Sequence, residues 1–129
     1  MGETPLKAKL TKTMRDLLPD YFVVERHEDK IIGGRPDIAV TGLKVTTRWE
    51  VKHANPGFKH KGNQTDMMLK LAIAGFAWYI VFDEPTQRIY IVDPKDIEKP
   101  KITWKDFTEG YNYKWVVQRV WKEHHYDRK

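Results

Sequence analysis

Cysteine is absent from this chain of 129 residues, which excludes disulfides and thiolate metal sites, a zinc ribbon among them. Stability has to come from packing. Long apolar runs are missing too: none approaches the roughly 18 residues that a membrane-spanning helix needs. The opening Met1-Gly2-Glu3-Thr4-Pro5-Leu6 has no signal-peptide core, and Leu6 stands where a myristoylation motif wants Ser or Thr. The expected compartment is therefore the cytoplasm, with no membrane partner. Linkers rich in Gly, Ser or Pro, internal repeats and low-complexity tracts are lacking as well. The expectation is one domain over 1–129, with a core over about 3–92 and a helical, aromatic extension over about 93–129.

Charge is present but unevenly spread. Lys plus Arg number 23 against 18 Asp plus Glu, a formal net charge of +5, which favours a polyanionic partner without demanding one. Between Lys44 and Lys61 the imbalance sharpens to Lys44, Arg48, Lys52, Lys59 and Lys61 against the single acid Glu50. A lone carboxylate in a basic stretch is a candidate for chemistry.

The hydrophobic pattern places that carboxylate. Leu6, Leu10, Met14, Leu17 and Leu18 recur at helical spacing, with Thr4 as N-cap, Pro5 at the first helical position and Pro19 as the stop, predicting a helix over about 5–18. Tyr21 to Val24 reads as a strand, followed by a polar loop from Arg26 to Arg35. Ile38 and Val40 then alternate with polar or small residues. After Gly42, Val45, Thr47, Trp49 and Val51 oppose Thr46, Arg48, Glu50 and Lys52, predicting a hairpin with one apolar face.

Further on, Asn63 can cap a helix whose inner stripe is Gln64, Met67, Met68 and Leu71, with Gly75 as its stop. Phe76 to Phe82 and Arg88 to Val92 read as strands separated by a turn at 84–87. Asp93-Pro94 can open a helical turn, and Asn112 can cap a last helix bearing Trp115, Val116, Val120 and Trp121. The predicted order is α, β, β-hairpin, α, β, β, α, an α/β fold with a central mixed sheet flanked by helices.

Hairpin geometry brings the polar residues together. With a two-residue loop, or one closed two residues tighter, facing positions have an odd index sum, so Asp37 shares a face with Glu50 and Lys52 while Ile38, Val40, Trp49 and Val51 occupy the other. Two carboxylates and an ammonium that converge in this way are costly without a cation. Their oxygens suit a hard divalent ion such as Mg²⁺, with Mn²⁺ as a substitute. Such an ion can polarise a phosphodiester and lower the pKa of a water, while Lys52 orients the nucleophile or stabilises the transition state.

At these residues the chain resembles the PD-(D/E)xK nuclease superfamily: Pro36-Asp37 matches the first half of the motif and Glu50-Val51-Lys52 the second. Gly33 to Ile38, Trp49 to Lys52, and Gln64 opening a helix that ends at Ala74-Gly75 before an apolar strand are similar to its VRR-NUC and Holliday-junction-resolvase-like branches, which are common in phages. The similarity covers roughly residues 3 to 82. It implies a restriction-endonuclease-like core and a metal-dependent endodeoxyribonuclease, in a host cytoplasm if phage-encoded. By resemblance Asp37 and Glu50 are metal ligands, the Val51 backbone carbonyl is a third, Lys52 is catalytic and Gln64 lines the site. The family often carries a further Glu early in the first helix. Glu3 is the candidate there, although Pro5 at the helix start is expected to leave it just outside, and Glu25 and Glu28 are rivals.

Each feature also has a plainer interpretation. Alternating Glu and Lys is an ordinary pattern on a surface strand. Gly33-Gly34 is either a flexible turn or a point of close phosphate approach. Arg35, Lys59 and Lys61, with His60, either hold phosphate or are solvated. Aromatic rings between Trp104 and Tyr126 are expected to complete the core or a dimer interface rather than to stack on bases, and His124-His125 is expected at the solvent. The preferred substrate is expected to be branched DNA, read through shape and phosphates, which favours a homodimer. A non-catalytic DNA-binding module and a partner-dependent nuclease subunit are the alternatives.

Overall fold

A computed structural model describes residues 3–27, 37–55, 64–74 and 76–125. The chain order is α1 (Glu3–Leu17), β1 (Val23–Arg26), β2 (Ile38–Thr41), β3 (Thr46–Ala54), α2 (Gln64–Ile73), β4 (Ala77–Asp83), β5 (Arg88–Val92), two 3-10 turns (Pro94–Asp96 and Lys101–Thr103), β6 (Phe107–Glu109) and α3 (Tyr113–His125). The strands form one sheet in the order β1-β2-β3-β4-β5-β6. Among the strands of the described residues only β3 and β4 pair in parallel, with α2 between them in the chain; the other strand pairs are antiparallel, and an isolated parallel bridge joins Arg88 to Gly110. This is the expected mixed sheet flanked by helices.

The hairpin follows the alternation. Ile38 pairs with Trp49 and Val40 with Thr47, each sum being odd, and the Gly42 amide donates to the Val45 carbonyl at 3.0 Å to close the turn. One sheet face therefore carries Ile38, Val40, Trp49 and Val51, all fully buried with Leu6, Leu10 and Met14 of α1 and Val116, Val117 and Val120 of α3. Across the sheet, Tyr79, Val81, Tyr90 and Val92 pack with Met68 of α2 and with Ile97 and Trp104. Burial on both sides explains why β4 and β5 read as nearly continuous apolar runs.

Local signals set several element ends. The Asp93 side chain accepts from the Lys95 amide at the first 3-10 turn, and Asn112 Oδ1 accepts from the Trp115 amide at the start of α3. Both act as expected of N-caps. Asn63 and Gly75, expected to bound α2, lie outside the described residues.

Some expectations need correction. Glu3 is the first residue of α1, not outside it, because Pro at the third position of a helix removes an amide that has no intrahelical partner anyway. Leu17 is 50% exposed: Leu18 takes the inward position as the helix ends. The first strand begins at Val23, since Tyr21 belongs to the turn after α1. Met67 and Trp121 are exposed as well. On α2 the inward direction is held by Met68, and on α3 Val117 replaces Trp121 on the buried stripe, leaving that indole to stack on His125. Strand β6 was not foreseen; it is three residues long and carries no alternating pattern of its own.

Candidate active site

Asp37 immediately precedes β2, and the hairpin register places it opposite Glu50 in the middle of β3. Main-chain hydrogen bonds lock the two carboxylates reciprocally. The Asp37 amide donates to Glu50 Oε1 at 3.1 Å, and the Val51 amide donates to Asp37 Oδ2 at 2.9 Å. Each acid thus has one oxygen fixed by the opposite strand, which orients the other.

Those second oxygens carry ammonium groups. Lys52 Nζ lies 3.4 Å from Glu50 Oε2, and Lys7 Nζ lies 2.8 Å from Asp37 Oδ1. Two acids and two lysines therefore make one cluster, in which Glu50 is 2% exposed. Burial pushes the Glu50 carboxyl up to about 8; the nearby negative charge of Asp37 adds to the rise, and the Lys52 ammonium opposes it. A carboxylate held this way gains from any added positive charge.

Val51 contributes through its backbone. Its amide points towards Asp37, and in a strand the N–H and C=O of one residue project to the same side, so its carbonyl faces the Asp37 side too. Its side chain is fully buried with Trp49 on the opposite face. Alternation thus separates a charged side of β3 from an apolar one.

The donor chemistry fits a hard divalent cation: carboxylate oxygens converge from two strands and a backbone carbonyl lies beside them. Among the described residues no group of three or more His, Asp or Glu side chains is placed to hold a metal, so Asp37 and Glu50 are the acidic pair there. Glu3 opens α1, and its side chain lies outside the described residues. Glu25 is exposed on β1. Glu28, Arg35, Lys59, Lys61 and the Gly33-Gly34 pair lie outside the described residues, as does the side chain of Gln64, whose backbone opens α2.

Two participants were not singled out from the sequence. Lys7 is the first; its only local trace is that it shares a stripe with Thr11, which is buried and hydrogen-bonds back to the Lys7 carbonyl. The second is His124, expected at the solvent. It is partly buried with Nε2 2.8 Å from Thr47 Oγ1, while the Trp49 indole donates to the same hydroxyl at 2.9 Å. This chain of contacts fastens α3 to the hairpin from behind the acidic cluster. The C-terminal rings mostly join the core, as expected: Trp104 is buried in the cluster against which Phe107 packs, and Tyr111, Tyr113 and Trp115 pack against the cluster on the other face of the sheet.

No protein-family model matches the chain, and no curated protein matches it. Among solved structures, the Hjc Holliday junction resolvase of Archaeoglobus fulgidus, an archaeal hyperthermophile, is similar over 88% of this chain and 99% of its own, at 15% sequence identity and a TM-score of 0.48. A likeness of that order carries no functional conclusion. No helix among the described residues is long and apolar enough to cross a membrane.

Proposed function

We propose that this chain is a divalent-metal-dependent nuclease with a restriction-endonuclease-like core, in which Asp37, Glu50 and Lys52 form the catalytic centre. The observation that carries this reading is the reciprocal main-chain lock between Asp37 and Glu50, with Lys52 beside them. A structural ion pair on a strand has no need of a second carboxylate at its side. The Asp37 charge raises the cost of ionising Glu50 beside it, and a bound cation would offset that cost.

Asp37, Glu50 and the Val51 carbonyl would hold Mg²⁺ or Mn²⁺, with Glu3 the further candidate ligand. The chemistry such an ion supplies when bound is Lewis-acid polarisation of a phosphodiester and a lower pKa for a nearby water. Val51 and Asp37, through their amides, keep both carboxylates from rotating. Lys52 presents its ammonium beside Glu50, where it can orient a nucleophile and offset charge developing on the phosphate. By the sequence resemblance Gln64, Arg35, Lys59 and Lys61 would contribute contacts to DNA.

The substrate in this reading is DNA recognised by shape and phosphates, with branched structures preferred, and a symmetric dimer suits two related strands. The chain offers too small a surface for extensive base reading. The PD-(D/E)xK pattern of VRR-NUC and Holliday-junction-resolvase-like enzymes supports this choice of substrate class.

The test is a panel of labelled flaps, four-way junctions, duplex and single strands incubated with and without Mg²⁺ or Mn²⁺. Cutting should require the metal and disappear in Glu50→Gln and in Lys52→Ala, while DNA binding persists. Wild-type cutting by both variants would refute the assignment. Tight binding without cutting on every substrate would point to a binding module instead.

A further inference from the structure

Lys7 has a place in the acidic cluster that the proposed chemistry does not use. It reaches Asp37 from α1 across 30 positions of sequence, its side chain 12% exposed, and its ammonium makes a 2.8 Å contact with Oδ1. Asp37 Oδ2 is already taken by the Val51 amide. Glu50 shows the same division, with Oε1 on the Asp37 amide and Oε2 on Lys52.

The main-chain bonds hold Oδ2 and Oε1 at the strand interface. The oxygens that carry no main-chain bond, and so have most of their donor capacity to offer a cation shared by both acids, are Oδ1 and Oε2, each of which faces a lysine. A sparsely exposed ammonium is also a poor stabiliser: removing two charges from water costs about as much as their attraction returns, and an apolar pair of similar size often does better. Stability alone gives little reason for a lysine here.

On the nuclease reading, we infer that Lys7 is an internal cation that occupies the metal-facing oxygen of Asp37, competes with the divalent ion for it and so sets the metal affinity of the site. Lys7 is a positioning residue in this role. In the metal-free protein it keeps the Asp37 carboxylate aimed. Asp37, on holding a divalent ion, would give up its contact with the Lys7 ammonium, and the added positive charge would favour a phosphate backbone. Metal loading and attraction of the DNA backbone would thereby be coupled through one side chain.

The experiment is Mn²⁺ binding to the full chain, followed by electron paramagnetic resonance of free Mn²⁺ and by calorimetry, without DNA. Lys7→Met keeps the apolar stem and removes the charge. It should bind Mn²⁺ at least about tenfold more tightly than wild type, equivalent to about 1.4 kcal/mol. Lys7→Arg, which keeps the charge, should not gain affinity, and Asp37→Asn should abolish binding in every background. A merely structural role predicts that Lys7→Met binds Mn²⁺ equally or more weakly, and that result overturns the inference alone. If neither wild type nor Lys7→Met binds Mn²⁺ in a manner that Asp37→Asn abolishes, the nuclease reading falls with it. Should Lys7→Met fail to fold, Lys7→Gln carries the same expectation, since its amide can still donate to Asp37 without the charge.

Discussion

Asp37 and Glu50 hold one another through the backbone: the amide of the first donates to the carboxylate of the second at 3.1 Å. The Val51 amide, next to Glu50, donates back to the Asp37 carboxylate at 2.9 Å. Two acids that would repel are kept together by hydrogen bonds that belong to the hairpin itself.

This arrangement has a cost that depends on pH. Glu50 has a folded-state pKa of about 8 against an ordinary value of 4.5, so the folded protein favours its protonated form. Below pH 4.5 it is protonated in both states and costs nothing. As pH rises through the window from 4.5 to about 8, the unfolded chain releases the proton more readily, and the metal-free protein should lose on the order of a few kcal/mol. Glu50→Gln should flatten that slope in denaturant titrations at pH 5 and pH 8. An equally steep slope in the variant would show that another group is responsible.

Divalent metal should reverse the loss. A cation at Glu50 favours the ionised carboxylate, so Mn²⁺ should raise the melting temperature more at pH 8 than at pH 6. Asp37→Asn should remove most of the shift at both values. The check is thermal unfolding across a Mn²⁺ series, and a shift of equal size in the variant would place the ion elsewhere.

Thr47 connects the hairpin to α3. Its hydroxyl takes the Trp49 indole N–H at 2.9 Å and meets His124 Nε2 at 2.8 Å, with the residue fully buried. Thr47→Val keeps the shape and strands the indole N–H, so it should destabilise the protein by about 1–3 kcal/mol. Urea denaturation measures this, and a change within 0.5 kcal/mol, the ordinary range of about zero effect for surface sites, would mean that the network contributes little.

Gly42 is required by the same contact. A Cβ there would lie 2.8 Å from His124 Nδ1 and 3.2 Å from Phe22 Cε2, and the imidazole cannot swing away without leaving Thr47. Gly42→Ala should cost about 1–3 kcal/mol by overpacking. His124→Ala should relieve most of that cost in the double variant. Additive effects of the two substitutions, read in a double-mutant cycle, would separate the glycine from the histidine.

Much of this site is legible in the sequence. Alternation over 38–51 predicts which residues are dry, and the odd-sum register follows from a short turn, so the meeting of Asp37 with Glu50 and Lys52 could be read from spacing alone. Caps at Asp93 and Asn112 were equally readable, because a cap is a contact between residues two or three apart. Leu17 against Leu18, and Trp121 against Val117, were misassigned since helical period leaves about one position of freedom at the rim of an apolar stripe.

Period-two patterning in a single stretch of chain thus fixed the faces of the hairpin and the identity of its acidic pair. The docking of α1 brought Lys7 onto Asp37, the packing around β3 buried Glu50, and the seating of α3 put His124 against Thr47. Apart from the stripe that Lys7 shares with Thr11, none of these leaves a trace in local spacing. Backbone periodicity acts over a few residues, whereas an ammonium reaching a carboxylate 30 positions away depends on how whole elements stack, and that is settled by the shared core beneath them.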